Sequence, residues 1–280
     1  MTVREALAEG VAFLVRAEVD TPWLDASLLL GETLGCGKER LILSYPDDID
    51  QEAWRVYRAL LKRRGHGEPV SYIRRRKEFY GLEFYVDERV LVPRPDTETL
   101  VEEARLVLEK RPRARVLDLC AGSGCLAVTL AHWFPEADVT GADVSPEAGQ
   151  VFEKNSRALL GRPLPFIVSD LLEGVPGMFD LIVSNPPYVE RKAARLLKES
   201  GWPEPLVALD GGADGTDFLV RIIASAPARL VDGGVLLLEA DPAQMEKCAQ
   251  KMSECGYINI DTRRDLGARE RVLRGERAHV

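Results

Sequence analysis

Phe179-Asp180-Leu181-Ile182-Val183-Ser184-Asn185-Pro186-Pro187-Tyr188 is the stretch on which the fold turns. The apolar run 179–183 reads as a strand covered on both faces, the pattern of a parallel sheet. Pro186 and Pro187 cannot continue a ladder, so the strand stops and a stiff turn begins. The proline after Asn185 holds that asparagine in extended backbone. An Asn-Pro-Pro-Tyr turn thus stands at the carboxyl end of a parallel strand, where open α/β sheets bind ligands. A proline-ended strand with an asparagine capping its turn would explain these residues by themselves. Their neighbours argue for more.

From Arg115 the pattern is strand, helix, strand. Residues 116–119 read as a strand, Cys120-Ala121-Gly122-Ser123-Gly124 as a tight turn, and 125–132 as the helix it opens. Such a turn lets a ligand approach the backbone, beside the free N–H groups of a helix start. The next strand, 138–142, ends in Asp143, 25 residues after Asp118. A carboxylate there fits a ribose diol, and together with the turn it points to an adenosine-containing ligand. The strand 166–169 is followed by Asp170, suited to an exocyclic amine, and Leu171, suited to the face of a base. Three strand ends therefore bring Asp143, Asp170 and Asn185 to one edge of the sheet. There is no Gly-Lys-Ser/Thr for a phosphate loop and no Gly-x-Ser-x-Gly elbow at Ser123. A dinucleotide fingerprint would want glycine where Ala127 stands.

The flanks give the rest of the organisation. Residues 1–76 carry helical periodicity over 3–14, 23–30 and 51–64, and form a helical domain with basic clusters at Lys62-Arg63-Arg64 and Arg74-Arg75-Arg76-Lys77. A basic region in an acidic chain is a partner signal, although a solvated helix end explains lysines and arginines there too. Residues 77–95 read as a β-hairpin linker and 96–280 as the ligand-binding domain. Arg94, held between Pro93 and Pro95, is a candidate ligand or partner contact. Asp96 or Thr97 would cap the helix 98–110. Towards the C-terminus, 201–215 reads as a mobile loop, 217–230 and 242–254 as helices, and 235–239, 257–261 and 270–273 as strands.

Composition narrows the class. The chain has 280 residues, is 46% hydrophobic and carries a net charge of -8, which argues against a broad nucleic-acid surface. No run of about 18 uncharged apolar residues suggests a membrane span, and the first residues do not resemble a signal peptide. The five cysteines form no Cys-x-x-Cys pair and the three histidines are scattered. Reduced thiols, a cytoplasmic location and no metal site are expected.

The run from Asp118 to Gly124, Asp143 and Asn185-Pro186-Pro187-Tyr188 resembles a class I S-adenosylmethionine-dependent methyltransferase of the amino-methylating group. Glu68-Pro69-Val70-Ser71-Tyr72-Ile73, Phe79-Tyr80-Gly81, Pro93-Arg94-Pro95-Asp96-Thr97-Glu98 and Glu204-Pro205-Leu206-Val207-Ala208-Leu209-Asp210-Gly211-Gly212 narrow the resemblance to the HemK/PrmC family. It covers nearly the whole chain. It implies a Rossmann-like, mostly parallel seven-stranded α/β sheet behind the helical domain. The activity it implies is methylation of the glutamine side-chain amide in the Gly-Gly-Gln motif of class 1 peptide chain release factors, leaving S-adenosylhomocysteine. Cys120 to Gly124, Asp143, Asp170, Leu171 and Asn185 would then bind the cofactor. Asn185, Pro186, Pro187, Tyr188 and Arg94 would face the substrate. In this scheme the Asn185 oxygen and the Pro186 carbonyl accept the two amide hydrogens, and Tyr188 stacks on the amide. Residues 1–76 would dock the factor, and a monomer is expected. Cys120 stands where the family has glycine, which the turn tolerates if its φ is negative. Asp241 also departs from the family, with no role evident. A ribosomal protein, or a flipped base entering the same turn, is the alternative acceptor. A non-enzymatic cofactor-binding module is disfavoured by the intact Asn185 and Tyr188.

Overall fold

A computed structural model describes residues 1–279. By its internal contacts the chain divides into two units, Met1–Arg76 with Ser200–Pro203, and Lys77–Glu199 with Glu204–Val280.

The first unit is helical: α1 (Val3–Arg16), α2 (Pro22–Thr33), α3 (Lys38–Leu43), α4 (Gln51–Gly65) and α5 (Val70–Arg74). Its apolar stripes close on one core that includes Leu7, Leu14, Leu29, Leu30, Tyr57 and Leu61. The short helices α3 and α5 lack the repeated apolar spacing that betrays the longer ones. The basic clusters are largely consumed inside this unit. Arg64 Nε meets the buried Asp25 at 2.7 Å, Arg63 binds Glu68, and Arg74 and Arg76 both pair with Glu32. A carboxylate thus answers each of these arginines, which weakens their reading as a free patch.

The second unit opens with a short hairpin, β1 (Lys77–Phe79) and β2 (Leu82–Phe84), turned at Tyr80 and Gly81 with φ of 50° and 78°. Two successive left-handed residues match the twist of a tight hairpin. The ladder is shorter than the alternation 78–93 suggests. Val86, Val90 and Val92 are buried outside any strand.

The main sheet follows, as α6 (Glu98–Leu108), β3 (Arg115–Leu119), α7 (Cys125–Trp133), β4 (Asp138–Asp143), α8 (Pro146–Leu160), β5 (Phe166–Val168), β6 (Phe179–Ser184), α9 (Arg191–Glu199), α10 (Asp217–Ser225), β7 (Leu230–Glu239), α11 (Met245–Glu254), β8 (Tyr257–Arg264) and β9 (Glu270–Arg277). The strand order is β5-β4-β3-β6-β7-β9-β8, parallel except where β9 runs antiparallel to β7 and β8. This is the mostly parallel seven-stranded sheet that the family resemblance implies. Apolar layers cover both faces, one under α6 and α7 and one under α10 and α11. That double cover is why the strands read as unbroken apolar runs. The chain order reverses between β3 and β6, so the carboxyl ends of β3, β4 and β6 surround the switch point.

Asn155 on α8 ties this edge together. Its Oδ1 accepts from Tyr85 N at 2.8 Å, and its Nδ2 donates to the Tyr85 and Ser123 carbonyls, each at 2.9 Å. Asn155→Leu strands three polar backbone groups in the interior. We expect it to cost about 3 kcal/mol of stability, read from the urea midpoint. A loss below about 1 kcal/mol would show that water replaces the amide.

Candidate active site

The strand ends of the second unit open into a cavity of about 290 Å³. Its floor is the turn after β3. Ala121 N bonds the Ala142 carbonyl at 3.0 Å, and Gly124 N closes on Ala121 O at 2.8 Å. Gly122 has a φ of 52°, and a Cβ there would meet nothing within 4 Å, so its backbone lies open to a ligand. Cys120, Ala121, Gly122 and Ser123 line the cavity; Gly124 does not.

Cys120 has a φ of 61°, in the left-handed region. The condition of a negative φ is therefore not met, and the turn closes over a strained residue at a position suited to glycine. We expect Cys120→Gly to leave stability within about 1 kcal/mol, because relieved strain offsets the lost side chain and the freer unfolded chain. Cys120→Val should lose about 2 kcal/mol, since a β-branched residue resists this φ most. Urea denaturation of both variants checks the pair. Burial pushes the Cys120 and Cys125 thiols up, so neither supplies a thiolate nucleophile.

Asp143 ends β4 and faces the turn. Its Oδ2 accepts from Gly122 N at 2.9 Å and its Oδ1 from Ser145 N at 3.0 Å. Burial raises its pKa and the backbone N–H groups oppose the rise. Each oxygen keeps a lone pair for a hydroxyl. Asp170 and Leu171 line the cavity beyond it. Leu171 is buried with a φ of 51°, and Asp170 accepts from Arg221 Nη2 at 2.9 Å. Arg221 and Phe218, from α10, also line this end and were not singled out in the sequence. Asp118 also lines the cavity, though only 1% exposed, with its carboxyl pushed up to about 8 by burial. Its Oδ2 takes Ala127 N at 2.9 Å, while Oδ1 has no partner.

At the other end stands the Asn-Pro-Pro-Tyr turn, with Asn185 and Pro187 lining the cavity and Pro186 and Tyr188 outside its lining. Asn185 Nδ2 donates to Thr97 Oγ1 at 3.0 Å. Thr97 makes no capping bond to α6, contrary to the capping role expected; its hydroxyl serves Asn185 instead. The Tyr188 hydroxyl donates to Glu239 Oε1 at 3.0 Å, and its ring packs against the core. The hydroxyl thus holds the ring, which lies outside the cavity lining, and no contact here supports the expected stacking on a substrate amide. Gln244 Nε2 donates to the Tyr188 carbonyl at 2.9 Å. Asp241 completes a capping box with Gln244, accepting from Ala243 N at 2.9 Å, which explains the departure noted in the sequence. The 210–215 segment clamps the turn from outside. Gly211 N bonds Val189 O at 2.8 Å, and a Cβ on Gly211 would fall 2.6 Å from Tyr188 Cα.

Arg94 reaches the cavity but is not free. Its Nη2 binds the buried Glu204 Oε2 at 2.5 Å, while Glu204 Oε1 accepts from Val92 N at 2.9 Å. This pair ties the Pro93–Pro95 loop to the Pro205–Ala208 segment that also borders the cavity.

Comparison with known proteins decides the family. A release factor glutamine methyltransferase from Deinococcus radiodurans is 37% identical over 278 residues, spanning 99% of this chain and 99% of that one. One from Escherichia coli is 34% identical over 276 residues, spanning 98% and 99%. The chain belongs to the release factor glutamine methyltransferase family. Family models agree: the PrmC N-terminal domain matches residues 5–74 and the methyltransferase small domain residues 97–200. Among solved structures, a methyltransferase from Pyrococcus furiosus has a TM-score of 0.53 at 18% identity, covering 72% of this chain and 92% of that one, which supports the fold. The Asn-Pro-Pro-Tyr turn and the glycine turn follow the ends of adjacent strands and both contribute to the cavity lining.

Proposed function

We propose that this protein transfers a methyl group from S-adenosylmethionine to the side-chain nitrogen of a glutamine, the one in the Gly-Gly-Gln motif of class 1 peptide chain release factors. One observation carries the reading: an amide side chain, Asn185, is fixed by Thr97 in the lining of a cavity that the glycine turn and Asp143 also line. The near-full-length relatives named for this activity support it.

The donor set fits S-adenosylmethionine. Asp143 would accept the ribose hydroxyls, Leu171 would cover the adenine, and the open backbone at Gly122 admits the amino-acid end. The unpartnered Asp118 Oδ1 gives a cationic ammonium a place. The sulfonium supplies an already activated methyl group, so the protein needs position more than acid–base chemistry. A glutamine amide is a poor nucleophile because its nitrogen lone pair is delocalised into the carbonyl. With Nδ2 engaged by Thr97, Asn185 has its Oδ1 left to accept one amide hydrogen; the Pro186 carbonyl would accept the other. Both contacts favour a pyramidal nitrogen aimed at the methyl. Alignment of this kind is worth up to ~7–11 kcal/mol in model reactions.

Docking of the factor by residues 1–76, action in the cytoplasm and a monomeric enzyme complete the reading. No helix among the described residues is long and apolar enough to cross a membrane. Charge reversal at Lys62 spares the Arg63–Glu68 and Arg64–Asp25 pairs. It should raise KM for the factor, and an unchanged KM would place docking elsewhere. The function itself is tested with labelled S-adenosylmethionine, a purified class 1 release factor, and that factor with its Gly-Gly-Gln glutamine replaced. Label on the intact factor alone is expected. Equal label on both would exclude this glutamine as the acceptor.

A further inference from the structure

Beyond Asp143 the cavity is bounded by the turn after β5 and by α10. The turn is held in one shape. Ser169 N donates to the Asp143 carbonyl at 2.9 Å, the Ser169 hydroxyl to the Leu171 carbonyl at 2.7 Å, and Glu173 N to the Asp170 carbonyl at 3.1 Å. Phe218 and Arg221 stand three residues apart on α10, so they are neighbours on its surface, beside the stripe of Leu219, Ile222 and Ile223 that enters the core. Phe218 packs against the apolar layer that contains Leu171. The Arg221 guanidinium carbon lies 5.7 Å from the centre of the Phe218 ring.

Arg221 reaches from α10 to the turn. Its Nη2 donates to Asp170 Oδ2 at 2.9 Å and lies 3.7 Å from Glu173 Oε1. The Arg221 and Asp170 side chains are 44% and 47% exposed. An ion pair that open to water does little for stability. What it does is fix a carboxylate in the lining of a cavity. Arg221 takes one oxygen of Asp170, and no described residue donates to the other, Oδ1. A charged carboxylate can only accept, so the open oxygen selects a donor on the ligand. Adenine offers one, its 6-amino group. A 6-oxo purine offers an acceptor at the same place, which a carboxylate repels.

We propose that Arg221 is a positioning residue for cofactor recognition: by holding Asp170 through Oδ2 it presents Oδ1 to the 6-amino group of the adenine, and the pair selects against 6-oxo purines. This rests on the S-adenosylmethionine reading of the cavity. Without the arginine, the half-exposed carboxylate turns to water and must be ordered anew when the ligand binds, which weakens binding.

Calorimetric titration of the full chain with S-adenosylhomocysteine and with S-inosylhomocysteine, its 6-oxo counterpart, tests the inference without any methyl acceptor. The wild type should bind the adenine compound about 100-fold more tightly, a modest ratio because the pair is half-exposed. Arg221→Met keeps the packing on Phe218 and should weaken binding of the adenine compound about tenfold, with the inosine compound unchanged. Asp170→Asn should remove most of the preference, because its amide can turn either way, and adding Arg221→Met to it should change nothing further. Equal weakening of both ligands by Arg221→Met would make the residue a part of the cavity lining only, and no weakening of either would remove it from the site. Each result overturns the inference and leaves the cofactor reading standing. Additive losses in the double variant would overturn the coupling to Asp170. Failure of the wild type to bind either compound would overturn the cofactor reading and the inference with it.

Discussion

Asn185→Ala lowers kcat by about 10³-fold, the scale of removing a group that orients and polarises the reacting atoms. The expectation rests on how little else the residue does. It sits at the cavity rim, partly exposed, with one side-chain hydrogen bond, to Thr97. Its removal leaves the turn held by the Tyr188–Glu239 bond, the Gln244 bond to the Tyr188 carbonyl and the Gly211 clamp. Stability should therefore fall by no more than about 1 kcal/mol, and cofactor binding should not change. Single-turnover kinetics with saturating cofactor separates the chemical step from binding. A variant that keeps its turnover would take Asn185 out of the mechanism; one that loses cofactor affinity in step with rate would make it a cofactor residue only.

Asp143→Ala should raise the Kd for S-adenosylmethionine about 100-fold, since two charge-assisted hydrogen bonds to a diol are worth about 3 kcal/mol together. A second effect points the same way. The carboxylate also holds Gly122 N and Ser145 N, so its loss loosens the floor as well as removing the ribose acceptor. Asp143→Asn separates the two, because an amide keeps one acceptor and should fall between wild type and alanine. Isothermal titration calorimetry measures all three. An unchanged Kd in Asp143→Ala would remove the residue from the cofactor site.

The sheet was legible because its strands are covered on both faces and read as apolar runs ended by glycine, aspartate or proline. Asp143, Asp170 and Asn185 followed from the same logic, applied to strand ends. That logic also applies to Glu239, which closes the run Val235-Leu236-Leu237-Leu238, although spacing alone does not show that it meets the Tyr188 hydroxyl. What a linear reading could not supply was the pairing of distant side chains. Thr97 lies 88 positions from the asparagine it orients, and Glu204 lies 110 from Arg94. Thr97 before a helix looks like a cap, and only the fold reveals that its hydroxyl points elsewhere. The left-handed φ of Cys120 was hidden for another reason: cysteine gives none of the warning that glycine gives. The inward Tyr188 reflects competition between a cavity and a buried carboxylate, which spacing does not encode.

The central claim is the acceptor atom, and mass spectrometry of the Gly-Gly-Gln peptide tests it most directly. A class 1 release factor prepared without this modification is incubated with the enzyme and S-adenosylmethionine, then digested and fragmented. The expected result is one added methyl group on the glutamine side-chain nitrogen, present with wild-type enzyme and absent with Asn185→Ala. A methyl group on any other residue, or none on this peptide while the cofactor binds normally, would contradict glutamine methylation of the factor.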